Sequence, residues 1–149
     1  MTAIAAIATA SLIAGALDIS ATGTLLRLQG MPFEKLLQRI AGGIMGPASF
    51  NGGKPAAAVG LFFHFFIATT ATSIYYVLSR FFSVLLTNPL LYGALYGVVV
   101  HLVVTFVVIP LSRVPPRPFS SKAFITQFVI HIFLVGLPIA LTLSHFLRT

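Results

Sequence analysis

Apolar residues run in four long blocks along this chain, and polar residues gather between them. The blocks extend from about Ile4 to Leu26, Pro55 to Leu78, Pro89 to Leu111 and Lys122 to Phe146. A helix crossing a bilayer needs roughly 20 apolar residues, so each block is long enough to span one. Pro55 and Pro89 fall in first turns, where the missing N–H costs nothing. Pro138 lies inside the fourth block and predicts a kink of a kind that membrane helices tolerate.

The segment between the first two blocks has its own period. Phe33, Leu36, Leu37, Ile40 and Ile44 form an apolar stripe, with Glu34, Lys35, Gln38 and Arg39 opposite. This predicts an amphipathic helix over Phe33 to Met45, lying flat on a membrane interface. A glycine-rich turn, GGIMGPASFNGGK, follows from Gly42 to Lys54. It lacks P-loop spacing, and it could enter a membrane only where protein or water satisfies its backbone.

Composition sharpens the picture. The 149 residues are 58% hydrophobic and 7% charged, against about a quarter charged in soluble domains. The fold class predicted is all-α integral membrane: one domain of four transmembrane helices plus the short interfacial helix. The first block has no basic leader and exceeds a usual signal-peptide core, so it reads as a retained helix. The net charge of +7 does not indicate nucleic acid, because the basic residues fall between apolar blocks and not on one polar face. Arg27, Lys35, Arg39, Lys54, Arg113, Arg117 and Lys122 flank one side, and Arg80 and Arg148 the other. The Lys/Arg bias predicts cytoplasmic loops for the first set and both termini outside. Tyr75, Tyr76, Tyr92 and Tyr96 would then form an aromatic belt at the outer interface. Without cysteine, thiolate metal sites and disulfides are excluded.

Four ionisable residues interrupt the blocks: Asp18, His64, His101 and His131. At about 1.5 Å per residue, each lies roughly 12–15 Å from the cytoplasmic end of its helix. Small residues share their faces: Ser11, Ala14, Ala21 and Thr22 with Asp18, Gly60, Ala68 and Thr72 with His64, Gly93, Gly97 and Thr105 with His101. Such stripes mark close helix approach. On the fourth block His131 has Gln127 one turn before it and Val135 one turn after. Ionisable groups at membrane depth are functional candidates. Three imidazoles and a carboxylate could hold a divalent metal such as Zn, Fe or Cu. Two of His64, His101 and His131 could clamp a haem or chlorin. An Asp–His chain could relay protons. The competing reading is interhelical packing, worth about 0.6 kcal/mol per hydrogen bond. His145, near the outer end of the fourth block, stands apart.

Several segments carry a resemblance: GALD at Gly15–Asp18, LLQRIAGGIMGPASFNGG at 36–53, GLFFHFFIA at Gly60–Ala68, LLYGALYGVVVHLVVTFVVIPLS at 90–112 and HIFLVGLPIAL at 131–141. Together they resemble a family of small four-helix bacterial inner-membrane proteins with no established function. The resemblance implies the fold and the glycine-rich first loop, and no activity, cofactor or catalytic residue. With only two acids and no HExxH or Ser–His–Asp arrangement, hydrolase chemistry is not expected. The expected role is an accessory subunit packed among other membrane proteins or copies of itself. The alternatives are a liganded bundle and a small proton or ion conductor.

Overall fold

The chain's computed structural model describes residues 2–148. All regular structure among them is helical. Helix α1 spans Ala3–Leu28, α2 Phe33–Met45, α3 Gly53–Phe81, α4 Val84–Thr87, α5 Pro89–Leu111 and α6 Ser121–Leu147. A short 3₁₀ segment, Gly46–Asn51, joins α2 to α3. Helices α1, α3, α5 and α6 are each long and apolar enough to cross a membrane.

Local chemistry fixes the ends. The Thr2 hydroxyl accepts from the Ala5 N–H at 3.3 Å, and the Ser120 hydroxyl accepts from Ala123 N–H at 3.3 Å. Both satisfy amide groups that have no partner within the helix. Pro89 begins α5, and Gly30 and Gly46 turn the chain with φ of 84° and 63°, which glycine adopts without a Cβ clash.

Two long helices widen at matching places. α5 is π-helical over Val104–Val108 and α6 over His131–Gly136. Pro110 and Pro138 each follow two residues later. A proline lacks the N–H that would close its own turn, and a wider turn redistributes the freed carbonyls. The kink expected at Pro138 thus takes the form of a π segment, and Pro110 makes a second.

α1 and α6 form the middle of the bundle. Ala6, Ala10 and Ala14 of α1 meet Val135, Ile139, Ala140 and Leu143 of α6, with Tyr75 and Leu86 completing the core. A second cluster joins Ile19, Leu36, Leu37 and Ala57 near the loops. Glycines set the closest approaches. A Cβ at Gly97 would collide with the backbone of His131 and Ile132, and one at Gly136 with the backbone of Gly93 and Gly97. A Cβ at Gly60 would strike the Leu37 carbonyl, so α2 rests directly on α3.

α2 has the expected limits but another orientation. Gln38, assigned to the polar face, is 1% exposed, whereas Phe33 and Ile44 of the apolar stripe are 39% and 49% exposed. Contact with Gly60 turns Leu36, Leu37 and Ala41 inward and carries Gln38 with them. Its amide donates to the Gly53 carbonyl at 3.2 Å and to Glu34 Oε1 at 3.0 Å. Two residues of the expected tyrosine belt make contacts inside the protein. Tyr75 is buried and donates to the Leu85 carbonyl at 2.8 Å, and Tyr96 donates to Ala71 at 2.6 Å. Their rings pack edge to face at 4.9 Å. They lock α3, α5 and the α3–α5 link together.

Candidate functional site

Asp18, His64, His101 and His131 come one each from α1, α3, α5 and α6. They stand ten residues before Leu28, eleven after Gly53, ten before Leu111 and ten after Ser121. That is about 15–17 Å from the loop-bearing end in every case. The two longer connections meet at that end, where the Arg113 N–H donates to the Gly43 carbonyl at 2.9 Å.

At this shared level the four residues form two pairs. His101 and His131 face each other with Nδ1 to Nδ1 at 2.9 Å. One nitrogen must donate and the other accept, so the neutral pair holds two different tautomers. The glycine contacts explain the closeness: Gly97 lies against the His131 backbone one turn before His101. Both rings are buried, and Phe124 and Phe128 stack edge to face on His101 with centroids at 4.6 and 5.4 Å. His101 Nε2 is buried there with no hydrogen-bond partner.

The second pair is more open. His64 Nε2 lies 2.8 Å from the Gly15 carbonyl. A carbonyl only accepts, so Nε2 carries the proton and, in the neutral ring, Nδ1 is left as the free base. Asp18 Oδ1 accepts from the Thr22 hydroxyl at 3.4 Å, and Thr22 Oγ1 accepts from Gln127 Nε2 at 3.1 Å. Asp18 and His64 lie within electrostatic reach of each other, as do His64 and His131. Hydrogen bonds thus link Gln127, Thr22 and Asp18 in one group and His131 with His101 in another, while His64 at the same level is bonded to the Gly15 backbone.

The hydrogen bonds already occupy several of the imidazole nitrogens that a ligand would need. Among the described residues no three His, Cys, Asp or Glu side chains are grouped to hold a metal. His64 spends Nε2 on a backbone carbonyl, and the α5–α6 pair spends both Nδ1 atoms on each other. Nor do His101 and His131 leave room for a haem or chlorin between them, since their nitrogens are in direct hydrogen-bond contact. His145 is exposed in the last turn of α6, away from the set, beside Phe146.

Three contributions lie beyond the sequence reading: one bond of Gln127, and the packing of Gly136 and Pro110. Gln127 was visible one turn before His131, but its bond to Thr22 crosses to α1. Gly136 completes the contact that Gly93 and Gly97 signalled. Pro110 shapes the turn beyond His101. Beyond the loop-distant side of the set, polar side chains are tied off on nearby carbonyls. Thr72 donates to Ala68 at 2.9 Å, Ser144 to Leu86 at 2.6 Å, and Tyr75 and Tyr96 as above. Compared with protein-family models, curated proteins and solved structures, the chain finds no match.

Proposed function

We propose that the chain is a multi-pass membrane protein whose bundle carries a protonatable dead-end site, entered from the end bearing the two longer loops. The observation that carries this reading is the gathering of Asp18, His64, His101 and His131, with Thr22 and Gln127 bonded to Asp18, at one level of four bilayer-length helices. Ionisable groups are costly at such depth and mark proton or ion pathways. The bonding of the hydroxyls supports entry from one side: on the side away from the loops, Thr72 and Ser144 are bonded to carbonyls, whereas Thr22 and Gln127 on the loop side are bonded toward Asp18. A through-channel would need free polar groups on both sides.

The chemistry follows from the protons. His64 Nδ1 is the free base of the site. The His101–His131 pair keeps its bond with one proton between the two Nδ1 atoms. A proton added to the acceptor leaves two N–H groups head to head and breaks that bond. Uptake is thereby coupled to the α5–α6 contact, where both helices already have the wider π turns that mark functional sites.

The proposed setting is the bacterial cytoplasmic membrane, with both termini outside and seven of nine basic residues inside. The resemblance to small bacterial inner-membrane proteins and the central packing of α1 support a retained first helix. A second reading, accessory packing within a larger membrane assembly or between copies, is favoured by the outer face of α3. Thr69, Thr70 and Ser73 line a shallow cleft there with Phe66 and Ile74, and small residues suit helix association.

The test is nitrogen NMR of histidine-labelled protein in bilayers across roughly pH 5 to 8, the imidazole range. At the alkaline end His64 should be the Nε2–H tautomer, and a coupling should link the two Nδ1 atoms of His101 and His131. Acidification should abolish that coupling. Histidine spectra that do not change over the range would overturn the proposal.

A further inference from the structure

The polar set leaves the positive charge at the loop end unexplained. α2, the 3₁₀ turn and the connection after α5 form one surface there. The Arg113 N–H bonds Gly43, Val114 and Pro115 lie beside Gly42, and Lys35 Nζ donates to the Phe50 carbonyl at 3.0 Å. Arg39 sits half-buried on α2, and the charge of Arg117 acts on it from the neighbouring connection. Burial first, and the Arg117 charge second, hold the Arg39 guanidinium below its ordinary value.

No side-chain carboxylate relieves this repulsion. The sequence has two acids. Asp18 is about 15 Å up α1 from the loop end. Glu34 accepts from Gln38 and lies five residues before Arg39, about 140° around the helix. The connection bearing Arg117 packs on α2 at Gly42 and Gly43, one turn beyond half-buried Arg39, so two separate segments carry their like charges to one surface. The same surface exposes Ile44, Met45, Leu111 and Phe119, the last two at 83% and 75%. Arginine forks suit phosphate oxygens, and exposed apolar side chains suit acyl chains.

We infer that Arg39 and Arg117 together bind the headgroup phosphate of an anionic phospholipid, whose acyl chains lie on the apolar residues beside them. A free phosphate would satisfy the guanidiniums but make no use of the apolar rim. The inference rests on the bilayer setting proposed above. Failure of that setting would show separately, as protein that stays dispersed without detergent.

Native mass spectrometry of the full chain in detergent tests it, with added dioleoyl phosphatidylglycerol against the phosphatidylcholine of the same acyl chains. Phosphatidylglycerol should be retained in preference. Arg39→Gln and Arg117→Gln should each lower its retention about fivefold, the worth of one basic residue at an anionic surface. Arg80→Gln, at the other end of the bundle, should not. Monodisperse elution and helical circular dichroism identify variants that remain folded. If Arg39→Gln fails to fold, Arg117→Gln, on an exposed connection, decides alone. Equal retention by Arg117→Gln, or an equal loss with Arg80→Gln, would overturn the site. Displacement of the lipid by inorganic phosphate at equal concentration would overturn the lipid as its occupant.

Discussion

The two halves of the polar set are built by opposite means. His101 and His131 meet because glycines bring two backbones together, and their rings are enclosed by Phe124 and Phe128. Asp18 and His64 sit where α1 and α3 meet at Gly15, and they lean on a carbonyl, a hydroxyl and an amide. The first half is buried, with one nitrogen of each ring bonded to the other and His101 Nε2 left without a partner. The second is partly exposed and keeps a free imidazole nitrogen. A site that takes up protons needs both properties: an accessible base and a buried group whose bonding changes when the proton arrives.

The sharpest way to break the comparison is to part α5 from α6. Gly136→Leu would drive a side chain into the backbone of Gly93 and Gly97. Backbone cannot yield as a flexible side chain does, so a loss of about 4 kcal/mol or more is expected. Gly43→Ala meets only Ser112 Cβ at 3.7 Å and should change stability little. Reversible unfolding in mixed micelles measures both. Equal stability of the two variants would show that the helices are not held by the glycine contact.

A second experiment asks what the buried pair contributes. His101→Ala removes a buried ring and orphans His131 Nδ1, which should cost about 2–4 kcal/mol. His64→Ala acts at a partly exposed position and loses one interhelical bond, so about 0.6 kcal/mol is expected. The double variant His101→Leu/His131→Leu leaves neither partner unpaired. It should recover most of the loss in the same unfolding assay and abolish the acid-dependent change at the α5–α6 contact. Recovery of stability together with a retained pH response would assign the response to Asp18 and His64 instead.

Much of this architecture is legible in the apolar pattern. The blocks at 4–26, 55–78, 89–111 and 122–146 lie within the observed helices, whose ends differ by three residues at most, and the 33–45 segment matches α2. Runs of apolar residues of that length have few other folded forms. The shared depth of Asp18, His64, His101 and His131 followed from the same block ends. Their pairing did not. It depends on which helix faces which, and a period of 3.6 residues gives a face without naming its partner. Gln38 shows the same limit: its position on the polar stripe said nothing of Gly60, which draws that side of α2 inward. Tyr75 and Tyr96 belong to a cluster the sequence places near an interface, but nothing in it names the carbonyls of Leu85 and Ala71 that their hydroxyls find. The short helix Val84–Thr87 is too brief to carry a period.

The smallest expected effect is the most specific to the direction of entry. Thr22→Val keeps the shape of the side chain but removes both the bond to Asp18 and the acceptor for Gln127. Thr22 is partly buried, and its stability cost should be about 1 kcal/mol. The helices and the His101–His131 pair should be undisturbed. What should change is exchange: protons reaching His64 from the loop-bearing end would lose their hydroxyl step, and the NMR lines of His64 should sharpen toward slower exchange. Gln127→Leu should act alike, and the two together no more than either alone, since they interrupt one path. Ser144→Ala is the control on the far side, where the hydroxyl is tied to the Leu86 carbonyl. If Ser144→Ala slows His64 exchange as much as Thr22→Val does, the site is open to both ends, and the asymmetry of the polar set has no bearing on how protons reach it.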